Sequence, residues 1–215
     1  MRRLVVCALL AVSVLALQAV AEEAELEFKI QRLTDRVVIF TEVSPWESNH
    51  VVIVGSEGMV LVDPGHSALM ARLIRRAVAE ELGRDRFDYV IDTHGHWGHT
   101  WGNSGFPEAL VVGHERAAES IEASRARLEP QLAAMQRQLE QARAVAEGLD
   151  PMSDEAREAE SQRAHLERIV RGIGEPGFTI QPPRLTFTDR MTLDLGDLTL
   201  EMMFLGSGHS HSDIA

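Results

Sequence analysis

Cysteine is almost missing from this 215-residue chain, which has only Cys7. No intrachain disulfide is therefore possible, and a bound metal would have only His, Asp and Glu side chains to hold it. Basic charge is scarce as well. With 21 basic and 33 acidic residues the formal balance is −12, which argues against a nucleic-acid or anionic-membrane partner and favours a soluble surface. Long apolar runs are also lacking. The stretch over residues 4–17 falls short of the ~20 residues that a membrane span or anchor requires. With Arg2 and Arg3 before it and the small-x-small step Ala19-Val20-Ala21 after it, residues 1–21 read as a secretory signal. Its removal would start the mature chain at Glu22 with no integral membrane segment, in the periplasm or outside the cell.

The remaining composition, 45% hydrophobic, is that of a globular protein with a real core. Its chemistry is concentrated in Asp92-Thr93-His94-Gly95-His96-Trp97-Gly98-His99-Thr100, which follows a strand-like apolar run at residues 87–91. Alternate side chains of an extended segment share a face, so His94 and His96 can put two imidazoles on one cation while the chain turns through Gly98. His99, further round the turn, is expected to point elsewhere. A lone histidine reads more simply as bonded to water or backbone; three at this spacing read as a metal site.

This pattern resembles the His-x-His-x-Asp-His signature of metallo-β-lactamase-fold hydrolases, and Thr100, Gly102 and Asn103 extend the likeness. Two further steps resemble the same family. Residues 61–65, Leu-Val-Asp-Pro-Gly, match its Leu-Val-Asp-x-Gly, and Gly206-Ser207-Gly208-His209-Ser210-His211-Ser212-Asp213 resembles its Gly-x-Gly-His-Thr-x-Gly-Asp step. The resemblance implies an α/β fold, the metallo-β-lactamase-like αββα sandwich, over residues 22–215, with the first half to two thirds present. The family's later Asp and His ligands would lie beyond Ala215, so a chain truncated at its C-terminus is expected. It also implies zinc, bound by His94, His96 and His209, with His99 at the second metal and Asp63 behind the ligands. The alternative role for Asp63 is a turn residue capping the next helix. His66 is expected to be an exposed turn histidine, His114 to be structural, and His211 to be a substitute or added ligand at most.

Three imidazoles and one water make a tetrahedral zinc site, with no catalytic group beyond the metal-bound water. Such a site attacks a small acyl substrate, an ester, thioester or lactam. Gly98 modifies that expectation, because it stands where the family carries the Asp that serves the second metal. One zinc is expected instead of two, with weak activity. The alternative is a catalytically weak or inactive metal- or ligand-binding protein.

Elsewhere, apolar spacing predicts paired strands near residues 37–39 and 51–54, a helix over 68–82 ended by Gly83, and strands at 110–112, 185–187, 191–195 and 198–205. Residues 115–172 break this rhythm. Rich in Ala, Glu, Gln and Arg, they predict an inserted helical hairpin, striped by Leu128, Leu132, Met135 and Leu139 against Ala156, Leu166 and Ile169. The hairpin is a packing pair, a lid or a self-association arm, and His165 is expected to be exposed on it.

Overall fold

The computed structural model describes residues 26–215, and the segment read as a secretory signal lies outside them. Its backbone is a seven-stranded sheet whose strands follow sequence order. β1 (Phe28–Arg32), β2 (Val37–Glu42), β3 (Asn49–Val54) and β4 (Met59–Val62) form an antiparallel meander, with Val52 between Val38 and Leu61. The helix α1 (Ala68–Leu82) then crosses over, and β5 (Tyr89–Asp92) pairs with β4 in parallel. Parallel neighbours require such a long connection. A single helical turn, α2 (Trp97–Thr100), and the 3₁₀ segment Trp101–Gly105 lead to β6 (Leu110–His114), which is followed across the sheet by β7 (Leu185–Phe187), both parallel.

Parallel strands read as unbroken apolar runs because both faces are buried. Met59, Leu61, Val90 and Val111 point into one core with Leu73, Ile74 and Val78 of α1. Val60, Ile91 and Val112 point into the other, closed by Leu193, Leu195 and Met202. These come from the hairpin of β8 (Arg190–Asp194) and β9 (Thr199–Met203), which turns at Gly196 with φ +89°. The helix α1 keeps the bounds its spacing predicts: Ser67 Oγ accepts from Met70 N–H at its start, and Gly83 ends it at φ +70°.

Between β6 and β7 the chain forms three helices, α3 (Glu115–Ser124), α4 (Leu128–Glu147) and α5 (Asp154–Ile173). Only α4 and α5 make the hairpin. From α3, Ala117 and Ile121 enter a third core with Trp101, Met135, Ile169 and Ile173. Pro130 sits in the first turn of α4, where a missing N–H breaks no helical bond. Met135, Leu139, Ala156 and Leu166 are buried, whereas Val145 is 57% and Met152 82% exposed. The base of the hairpin is thus docked and its tip is in solvent. No helix among the described residues is long and apolar enough to cross a membrane.

Candidate metal centre

The C-terminal end of β5 delivers the histidine loop, at the edge where parallel sheets gather their sites. His96 is still extended, at φ −76° and ψ 139°, before α2 turns the chain. The alternation puts the His94 and His96 ring centroids 4.7 Å apart. The loop after β9 then brings in His209, 5.1 Å from His94 and 4.7 Å from His96, with its Nε2 3.0 Å from His96 Nδ1. One nitrogen from each ring lies within 4.8 Å of the other two. His94 Nε2 is buried and has no hydrogen-bond partner, a costly state unless another group satisfies it.

The rings are aimed from behind by Asp63. It follows β4 at φ +57°, a left-handed conformation that Asp tolerates better than most residues and that gathers at functional sites. Its carboxylate accepts Thr93 N–H at 2.9 Å and Thr93 Oγ1–H at 2.7 Å, and faces His99 Nδ1 at 3.0 Å. With its proton given to Asp63, the Thr93 hydroxyl accepts from His94 Nδ1–H, 3.0 Å away. His94 is therefore the Nδ1–H tautomer, and its Nε2 lone pair faces the site. This is how outer partners fix a ligating imidazole.

Burial, and then the neighbouring His99, pushes His94 down to about 4 against the pull of Asp63. Burial and then His209 also lower His96. Neutral imidazoles are the form that binds metal. Two more carboxylates stiffen the loops. Asp213 accepts Gly208 N–H at 3.1 Å and Ser210 N–H at 2.9 Å, holding the His209 turn, and Ser212 Oγ ties it to Gly95 N–H at 3.0 Å. Asp92, raised well above the ordinary carboxylate range by burial, accepts from Asn103 Nδ2 at 2.9 Å. Gly102 has no room for a side chain, since a Cβ there would lie 2.1 Å from Pro64 O. Beside His96 and His209 opens a pocket of about 240 Å³ walled by Ser120, Ser207, Ser210, Ser212 and His211.

The family model of the metallo-beta-lactamase superfamily matches residues 43–215. The chain belongs to that superfamily. Similar solved structures include a metallo-beta-lactamase from Pontibacter korlensis, 16% identical with a TM-score of 0.54, where 87% of this chain covers 65% of that one. For the subclass B3 metallo-beta-lactamase BJP-1 of Bradyrhizobium japonicum the identity is 18%, the TM-score 0.53 and the coverage 87% and 55%. For the stereoselective inverting sec-alkylsulfatase Pisa1 from Pseudomonas sp. these are 15%, 0.59, and 87% and 29%. At such identities the likeness is one of fold, and this chain spans less than two thirds of each structure's length. No curated protein matches it.

Within this metallo-beta-lactamase superfamily member, His94, His96 and His209 come together, with Asp63 behind them. The helix cap that Asp63 was an alternative for is Ser67. His99 stays out of the set formed by His94, His96 and His209: α2 carries it round so that its ring centroid lies 4.4 Å from His94, and Asp63, His94 and His99 make a second set of ligand atoms within 4.8 Å. Two expectations are corrected. His66 is 3% exposed instead of lying on the surface, because Gly65 at φ +84° folds the turn inward. His165 is fully buried, because α5 brings it against Glu42 at the end of β2, between the rings of Trp46 and His66. His211 is exposed on the pocket wall and belongs to neither ligand set. His114 caps α3 through Arg116 N–H and meets Thr188 O at 2.8 Å, a structural role. Thr93 carries no signal in the sequence beyond adjacency to the histidines, and although Asp213 ends the Gly-x-Gly-His-Thr-x-Gly-Asp step, its hold on the His209 turn appears only once the loop is folded.

Proposed function

We propose that the chain is a zinc-dependent hydrolase of small acyl substrates, esters, thioesters or lactams, with one zinc ion held by His94, His96 and His209. The convergence of those three nitrogens, with His94 Nε2 buried and unpartnered, carries the proposal. Three imidazoles and no thiolate fit zinc with an open fourth position. Bound there, zinc would lower the pKa of a water molecule to about 7 and polarise a substrate oxygen. The rest falls to the chain's own groups. Asp63, through Thr93, holds His94 in its metal-binding tautomer. The serine hydroxyls of the pocket offer hydrogen bonds to the polar part of a substrate.

Gly98 provides no carboxylate to move a proton, a contribution typically of ~10²- to 10⁴-fold, so turnover is expected to be slow. The second ligand set, Asp63, His94 and His99, shares His94 with the first, which favours one ion over two. Gly98 also favours a second reading, a metal- or ligand-binding protein that has lost catalysis. Residues 1–21 support a periplasmic or secreted location, and the exposed Val145 and Met152 offer a surface for self-association. Hydrolysis of a panel of esters, thioesters and lactams, with and without a chelator, tests the main reading. Chelator-sensitive turnover is the expected result, and turnover that survives complete metal removal overturns it. Zinc binding without turnover favours the second reading.

A further inference from the structure

A second group of polar side chains lies on the other side of Asp63. Glu42 Oε2, His50 Nε2, both ring nitrogens of His66 and His165 Nε2 are buried without hydrogen-bond partners. They come from β2, β3, the turn after β4 and α5. Glu42 is the hub: its Oε1 accepts from His165 Nδ1–H at 3.3 Å and lies 3.7 Å from the Arg168 guanidinium. The His66 and His165 ring centroids are 6.1 Å apart, and Trp46 covers His165 at 4.4 Å. His50 gives its Nδ1–H to Asp63 O at 2.5 Å.

This group is not arranged around a cation. Arg168 already supplies the positive charge beside Glu42, and among the described residues only the two sets containing His94 bring three ligand atoms within 4.8 Å. What it does is join the hairpin to the sheet. His165 and Arg168 ride on α5, while Glu42, His50 and His66 stand on the domain beneath. The helix α5 lies directly on the turn that carries His66, so close that a Cβ on Gly172 would fall 2.3 Å from Ser67 Oγ.

A buried imidazole without partners has no acceptor for the charge of an extra proton, whereas the same imidazole in water takes one readily. We infer that His66 is an acid-sensitive latch: its protonation releases the α4–α5 hairpin from the sheet while the sheet and α1 remain folded. Every packed element bears on that proton. Glu42 of β2 attracts it, and His50 of β3 and His165 and Arg168 of α5 repel it.

Burial holds His66 down at about 3, well under its ordinary 6.5. The released form thus binds the proton more readily, so docking is complete above pH 6.5 and weakens as the pH falls toward 3. Glu42 follows later. Burial would raise it, but the His165 hydrogen bond and the nearby His66 outweigh that and hold it at about 2, so its contribution is lost only as the pH drops below its ordinary 4.5. One histidine with these two values raises the opening equilibrium about 30-fold between pH 7.5 and 5.0. Release also strips packing from the metal centre, because Trp97, next to His96, packs against the core that Met135, Ile169 and Ile173 of the hairpin help to form.

Hydrogen exchange of the full chain, followed peptide by peptide and corrected for intrinsic rates, tests the latch. The expected result is an about 30-fold fall in protection across Asp154–Ile173 between pH 7.5 and 5.0, with Ala68–Leu82 changed less than about threefold. Equal protection of α5 at both pH values, or parallel loss in α1, overturns it. In His66→Gln the fall should shrink to under about threefold, and an undiminished fall overturns the assignment to His66. If that variant does not fold, the comparison of α5 with α1 in the unaltered chain decides alone.

Discussion

Asp63 separates two histidine clusters that the same chemistry could have made alike. On its carboxylate side His94, His96 and His209 converge on one point, half open to solvent, with His94 Nε2 unpartnered and facing inward. On its carbonyl side His50, His66 and His165 are sealed from water and do not converge: His50 meets Asp63 O, His165 meets Glu42, and neither nitrogen of His66 has a partner. Histidine content does not distinguish a ligand from a packing residue. What does is whether the nitrogens left over after hydrogen bonding share a common point that water or substrate can reach.

That contrast can be broken at either cluster. The largest expected effect is that of His96→Ala, which removes one of three ligands and should abolish zinc retention after dialysis, read by elemental analysis; retention of zinc would place the ion elsewhere. Next is Glu42→Leu. It removes the buried carboxylate that His165 and Arg168 face and should cost about 3–5 kcal/mol of stability, seen as a lowered urea midpoint, and an unchanged midpoint would mean that the buried cluster contributes nothing to folding. Asp63→Asn tolerates the left-handed backbone but no longer accepts both Thr93 and His99 as an anion. It should weaken zinc affinity by about 10- to 100-fold, measured by competition with a chromophoric chelator. Val145→Ser, at the solvent end of the hairpin, should change stability by less than about 0.5 kcal/mol. A larger loss would show that the tip is covered by a partner or a second copy.

How much of this was legible in the sequence follows from how local each feature is. His94, His96 and Gly98 could be read from spacing alone, because an extended segment alternates by geometry. The bounds of α1 were equally plain, with Gly83 as its stop, whereas its cap was not: Ser67, and not Asp63, fills that place. His99 was expected apart from His96 and His209, as it is, but its contact with Asp63 could not be read because the single turn of α2 is too short to leave a periodic pattern. His66 and His165 were misread as exposed for a different reason. His66 is flanked by turn residues and His165 by charged ones, and both are buried only by an element distant in sequence. The buried face of α5 is polar at those positions, so hydropathy does not mark it. The hairpin was recognisable from composition, but α3 was not separable from it, because the break near Ser124 carries neither Gly nor Pro.

The most direct test of the account counts zinc per chain in the unaltered protein, in His96→Ala and in His66→Gln. One zinc in the first and third with none in the second is the predicted result. Zinc retained by His96→Ala, or lost from His66→Gln while the fold is intact, would contradict it.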